Sequence, residues 1–272
     1  MEGLHVKKLS IAALVLIAGP TSLYAADLRT RAPVKAPPPI VAPVWSWTGF
    51  YAGVHAGYGF GNDDDITTTG QAAVNVTNVA LGARPGSVKL DRDGFVGGGQ
   101  IGYNWQFAPQ WLVGIETDIS YTDFRETTSV VTLPLAGAGT LNNTFSSRME
   151  FFGTVRGRLG YVFDRTLFYA TGGFAYGDVR STVNFFGPAG QLQFAGTIDK
   201  VETGYAVGGG IEHAFAPNWT VKGDYLFYDL GRNTVNVAVI PGSGGGGTGY
   251  NSSFSNEGHI VRMGVNYRFG PM

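Results

Sequence analysis

The 272-residue sequence contains no cysteine. A disulfide framework, a thiolate metal site and a cysteine nucleophile are thereby excluded. Charge is scarce: Asp, Glu, Lys and Arg make up 14% of the chain, against about a quarter in a typical soluble domain. The net charge is −1, so nothing electrostatic favours nucleic acid as a partner. The four histidines stand at 5, 55, 213 and 259 without metal-ligand spacing, and no cofactor is expected. Beyond the N-terminus there is no apolar run long enough for a spanning helix and no sustained helical period. What the chain has in quantity is glycine, with 42 residues, and aromatics, at 13%.

The N-terminal 46 residues read as two unfolded segments. Residues 1–25 fit a secretory signal peptide: Lys7 and Lys8 precede the apolar stretch Leu9 to Ala18, Gly19 and Pro20 break it, and Ala25 and Ala26 suit cleavage. Removing it leaves 17 basic and 19 acidic residues. Residues 26–46 carry four prolines between Pro37 and Pro43 and read as an extended periplasmic tether. The folded unit is expected over 47–272.

Within that unit one pattern recurs. The last stretch, EGHIVRMGVNYRF at 257–269, alternates without a break. Val261, Met263, Val265, Tyr267 and Phe269 fall on one face, and Arg262, Gly264, Asn266 and Arg268 on the other. A period of two makes it a β-strand between unlike environments. Seven more strands are expected near 49–60, 93–106, 110–122, 149–163, 166–179, 201–215 and 218–230. Tight connections at Ala108-Pro109, Asp164-Arg165 and Ala216-Pro217 alternate with long ones at 61–92, 123–148, 181–200 and 231–256. Short turns on one side and long loops on the other characterise an outer-membrane barrel. The expected fold is therefore all-β: a transmembrane eight-stranded antiparallel up-and-down β-barrel with four long extracellular loops. A soluble sandwich would share the alternation but bury the apolar face.

The polar face collects Glu116, Asp118, Glu212 and Asp224 against Arg156, Arg158, Lys222, Arg262 and Arg268. In a narrow lumen such charges must be paired or hydrated, and eight strands leave an interior that side chains can fill. Glycines at 98, 102, 114, 160, 208, 210 and 264 share this face and leave room for the long chains. The apolar faces end in aromatics on the tight-turn side: Trp105 and Trp111, Tyr161 and Phe163, Phe215 and Trp219, Tyr267 and Phe269. Such a girdle suits a membrane interface. Strand 166–179 looks apolar on both faces and has no readable orientation.

WTGFYAGVHAGYGFG at 47–61, GGQIGYNWQ at 98–106, FAPNWTVKGDYLFYDLG at 215–231 and VRMGVNYRF at 261–269 together resemble the outer-membrane immunogenic protein family of alphaproteobacteria. That porin-family group is related to the eight-stranded barrel of outer-membrane protein A. The resemblance covers nearly the whole chain and implies a surface-exposed barrel in the Gram-negative outer membrane, without a defined catalytic or ligand site. It implies the lipid bilayer and lipopolysaccharide as surroundings, and the barrel-assembly machinery as a partner during insertion. Arg262, Gly264, Val265, Tyr267 and Phe269 fit the polar–x–Gly–apolar–x–aromatic–x–aromatic pattern of the family's insertion signal. Members often end at the final Phe, whereas here Gly270, Pro271 and Met272 follow.

Other motifs carry less. GGGQIG at 97–102 matches GxGxxG but lies inside a strand, where a dinucleotide site needs a strand-to-helix turn. The run Asn62 to Asp65 lacks the glycine and closing glutamate of a calcium loop and reads as a solvated loop or a weak cation site. Asn142-Asn143-Thr144 is a sequon in a chain not expected to be glycosylated. His213 and His259 fall on the lipid faces, and no motif gathers a Ser-His-Asp set. No enzyme is expected. The expected function is a structural surface barrel with a charged, plugged lumen. The alternatives are a low-conductance porin for small solutes and an adhesin or binder acting through its loops.

Overall fold

The computed structural model describes residues 45–61 and 64–269. The signal peptide, most of the Pro-rich segment, Asn62-Asp63 and the three residues after Phe269 lie outside the described residues. A single antiparallel sheet dominates. Eight of its strands form a closed ring: β1 (Gly49–Gly61), β4 (Gly94–Ala108), β5 (Trp111–Thr132), β6 (Leu141–Phe163), β7 (Thr166–Phe186), β8 (Leu192–Ala216), β9 (Trp219–Val239) and β10 (Gly249–Phe269). Each pairs with its neighbour, and β1 pairs with β10 from Phe50↔Phe269 to Gly61↔Gly258, so that this level has no sheet edge.

The strands begin and end at the short turns as the alternation implies, but at the other end they run on. β5 to β10 are 21 to 25 residues long, about twice what a tilted bilayer crossing needs. Strand carries most of the length of the last three long connections. The first folds differently: β2 (Asp64–Gly70), helix α1 (Ala73–Ala80) and β3 (Ser87–Leu90) stand between β1 and β4. β2 pairs with β10 and β3 with β2. The β2–β3 hairpin thus takes over above the shorter strands β1 and β4.

The faces explain why the sequence pattern stops short. β7 alternates from Leu167 to Phe185 with every odd residue turned inward except Gly173, which is half-buried. Its outward residues are Phe168, Ala170, Phe174 and Tyr176, then Asp178, Arg180, Thr182 and Asn184. Polarity inverts while the backbone continues. Near the turns the barrel is apolar outside and polar inside; farther up it is polar outside and apolar inside, like a water-soluble protein. Inside the upper part, Ile66, Phe145, Phe185, Phe194, Val237 and Tyr250 belong to one buried cluster. Val96, Phe124, Phe152, Leu226 and Ile260 belong to another just beneath it. On two strands the inward parity also slips. It passes from even to odd residues between Phe152 and Met149 on β6, and at Gly231 on β9. Gly231 has φ +79°, a conformation that glycine adopts without penalty and that suits a bulge.

Candidate functional site

The charged residues of the lumen are set by register. Glu116 stands opposite Arg156, Glu212 opposite Lys222 and Asp224 opposite Arg262. Several other cross-strand neighbours are glycine: Gly102 faces Glu116, Gly114 faces Arg158 and Gly57 faces Arg262. A Cβ at Gly210 would lie 2.7 Å from Asp224 Cβ and 2.8 Å from Tyr169 Oη. That close approach needs a residue without a side chain.

Eight of the nine charged lumen residues form one buried network of four acids and four bases. Arg156 Nη2 donates to Glu116 at 2.7 Å and to Asp118 at 2.8 Å. Lys222 Nζ lies 3.0 Å from both Glu116 oxygens and 3.5 Å from Asp224. Arg158 Nη2 donates to Glu212 at 2.8 Å. Arg262 reaches Asp224 through Nε at 2.7 Å and Asp118 through Nη1 at 3.2 Å. All eight side chains are at most 2% exposed among the residues of these pairs. Neutral groups complete the acceptor shells. Tyr51 donates to Glu116 at 2.8 Å, and Asn266 to Glu212 at 2.8 Å. Thr154 donates to Asp118 and Thr220 to Glu212, each at 2.5 Å.

The ring order puts β5 and β9 four strands apart, on opposite sides of an eight-stranded barrel. The Lys222–Glu116 pair therefore spans the lumen's width. Arg268 does not join the network. It lies at the short-turn mouth with its guanidinium 4.4 Å from the Trp45 ring centroid and 5.6 Å from that of Trp47, and it donates to Ser46 O and Thr48 O. Trp47 is fully buried there among Leu112, Val162, Leu167 and Ala214. From the short-turn end upward the interior thus holds an indole, an ion network and two apolar clusters.

Several contributors escaped the sequence reading. Tyr51, His55 and Gln100 all point inward; Tyr51 bridges Arg158 and Glu116, and His55 hydrogen-bonds Gln100 and Ser120. β1 mixes aromatic and small residues on both faces, which hides its polarity. Strand β7 gains its orientation here: Tyr169 turns inward, donates to Asp224 at 3.1 Å and lies under the Arg158 guanidinium at 4.0 Å. A tyrosine among charges looks apolar in the sequence but acts as a donor.

Outside, Trp105, Trp111, Tyr161, Phe163, Phe215 and Trp219 are all 44–69% exposed beside the short turns. Trp111 packs on Tyr161 at 5.3 Å between centroids and Trp219 on Tyr267 at 5.1 Å. Of the terminal pattern, Arg262 and Gly264 face inward, while Val265, Tyr267 and Phe269 face outward. A second exposed aromatic row lies higher, with Tyr58, Phe95, Tyr121, Phe174 and Tyr205. On β5 the two rows are ten residues apart, from Trp111 to Tyr121. At about 3.4 Å per residue and a tilt of about 40°, that is roughly 26 Å, the height of a bilayer's apolar band. His213 is exposed on the outer face, and His259 stacks there with Phe60 at 5.3 Å. The glycines of 97–102 lie within β4, with no helix after them. Among the described residues no cluster of His, Cys, Asp or Glu could hold a metal ion.

Comparison with known proteins agrees with this architecture. A family model described as outer membrane protein beta-barrel domain matches residues 12–269. A 31 kDa outer-membrane immunogenic protein of Brucella melitensis is 38% identical over 256 residues, covering 92% of this chain and 94% of that one. A 22 kDa outer membrane protein of Rhizobium leguminosarum is 28% identical over 233 residues, covering 84% and 81%. Among solved structures, the outer membrane protein OprG from Pseudomonas aeruginosa superimposes with a TM-score of 0.50 at 15% identity, covering 82% of this chain and 97% of that one.

Proposed function

The chain belongs to the outer membrane protein beta-barrel domain family, and from that premise we propose that it is a non-conducting surface barrel. In this reading it strengthens the outer membrane and displays its upper strands and loops outside the cell, without catalysing a reaction. One observation carries the closed lumen: Lys222 on β9 meets Glu116 on β5 at 3.0 Å across the width of the barrel. A water path would have to cross this pair, the buried Trp47 below it and the apolar layers above it. Desolvated ions in a matched set of four and four cost least when they stay paired, which favours a fixed plug over a gate. A pore for small solutes needs a continuous polar channel, and among the described residues no comparable feature supports one. The aromatic rows would sit at the two interfaces of a lipopolysaccharide-containing bilayer. The Arg262-to-Phe269 pattern would be the segment read by the barrel-assembly machinery.

Reconstitution of the purified barrel into planar bilayers tests the proposal. The expected trace is flat at potentials the bilayer tolerates. Stable, reproducible conductance steps that scale with added protein would overturn it.

A further inference from the structure

The extracellular end holds one feature that the closed-barrel reading leaves unused. Arg84, between α1 and β3, is only 3% exposed, and among the described residues it has no carboxylate partner. Its neighbours are neutral. Nη1 donates to Asn143 Oδ1 at 2.6 Å and to Phe186 O at 3.0 Å, and Nη2 to Gln193 Oε1 at 3.0 Å. The guanidinium lies 5.1 Å from the Phe185 ring centroid and 5.8 Å from that of Phe194. Burial lowers its pKa from the usual value. Unlike each base of the lumen network, this cation is buried without a counter-charge among the described residues, an arrangement that costs free energy until an anion arrives.

Arg84 also lines a cavity of about 230 Å³ that opens on the outer surface. Val74, Leu135, Leu141 and Phe194 supply apolar wall, and Asn78 and Tyr250 supply polar groups. Asn78 Nδ2 donates to Tyr250 Oη at 3.1 Å. The position is built rather than incidental. Asn75 of α1, fully buried, donates to Gly246 O and accepts from the Thr248 and Gly249 amides. That side chain ties the helix to the β9–β10 loop on the cavity's far side. A site with one cation and mostly apolar walls matches a singly charged ligand with an apolar body. A multiply charged phosphate would call for several donors of its own.

We propose that this cavity is an extracellular binding site for small organic carboxylates, with Arg84 as the anion-recognising residue. The full barrel in detergent micelles, titrated calorimetrically with benzoate, benzamide and inorganic phosphate, tests it. Benzoate is expected to bind saturably, and benzamide at least about tenfold more weakly, as the loss of one charge-assisted hydrogen bond implies; phosphate, which lacks an apolar body for the cavity wall, is also expected to bind at least about tenfold more weakly. Arg84→Gln should weaken benzoate about tenfold or more. Because Arg84 also bolts the β3 connection to β6, β7 and β8, a second variant leaves it intact: Val74→Trp, at a half-exposed rim position, fills the cavity and should abolish binding. Absence of saturable benzoate binding, phosphate binding as tightly as benzoate, or unchanged binding in Val74→Trp would each overturn the proposal.

Discussion

Replacing Glu116 with glutamine tests whether the lumen network acts as a buried, charge-balanced unit. The substitution keeps volume and removes one charge from the residue where the network converges. Glu116 lies within 3.0 Å of Lys222 and Arg156, within 3.5 Å of Arg158 and within 3.8 Å of Arg262. Four bases would then share three acids, with one cation uncompensated among side chains at most 2% exposed. Breaking a buried ion pair from one side costs about 3–5 kcal/mol, a large part of the roughly 5–15 kcal/mol that holds a folded protein together. With a urea dependence of about 3 kcal/mol per molar for a chain this size, the unfolding midpoint should fall by about 1–1.7 M. The assay is urea unfolding in lipid vesicles followed by tryptophan fluorescence. Glu116→Gln combined with Lys222→Met restores parity at three and three. It should recover part of the loss, giving a coupling of about 1–3 kcal/mol. A single-variant loss below about 1 kcal/mol, or a double variant whose cost equals the sum of the singles, would refute the reasoning.

Three further outcomes follow from the upper part of the barrel. Phe145→Ala, at a fully buried ring 5.7 Å from Phe185, should cost about 3–5 kcal/mol; limited proteolysis should then cut near residues 133–140 while the membrane band stays protected. Gly231→Val forces a branched residue to φ +79° and should cost about 1–2 kcal/mol, read as a lower temperature for the gel shift between folded and unfolded forms. Asp178 stands just above the aromatic band, where burial and then the charges of Asp199 and Glu150 raise its carboxyl pKa. A raised carboxyl penalises the folded state only once it ionises. Asp178→Asn should therefore stabilise the barrel above the usual carboxylate range and have no effect below it, as a comparison of unfolding midpoints at neutral and acid pH would show.

The lower barrel was legible because its two environments write opposite chemistry on alternate residues. In Trp111 to Tyr121 and in Val261 to Phe269 every second residue declares its face, and of the nine acids and bases so collected along the strands all but Arg268 meet in the lumen. Where one rule failed, a physical change explains it. At Asp178 on β7 the outward face turns polar while the strand continues, so a reader following apolar residues stops. At Met149 to Phe152 and at Gly231 the parity itself slips, and a period of two breaks for one step. Arg268 shares the polar parity of Arg262, but height along the strand is not encoded in parity, and it ends against two indoles rather than an acid. The β2–α1–β3 insertion gave still less signal. Its helix spans eight residues, lacks a side-chain cap, and depends on Asn75 contacts with residues about 170 positions away.

The inversion of polarity along the long strands has a mechanical consequence: it fixes a waterline. At the height where the outward face changes, Arg125, Arg148 and Arg180 stand in adjacent register on β5, β6 and β7, above the tyrosines and phenylalanines of the upper row. Sinking the barrel by two residues would draw this arginine tier toward hydrocarbon, at a cost that rises with depth to about 2–4 kcal/mol for each residue at the midplane. Raising it would lift the apolar band into water and pull the lower tryptophans off their interface. The barrel floats at one draught, so the cavity of Arg84 and the loops around it are carried clear of the lipid at a height written into the strands.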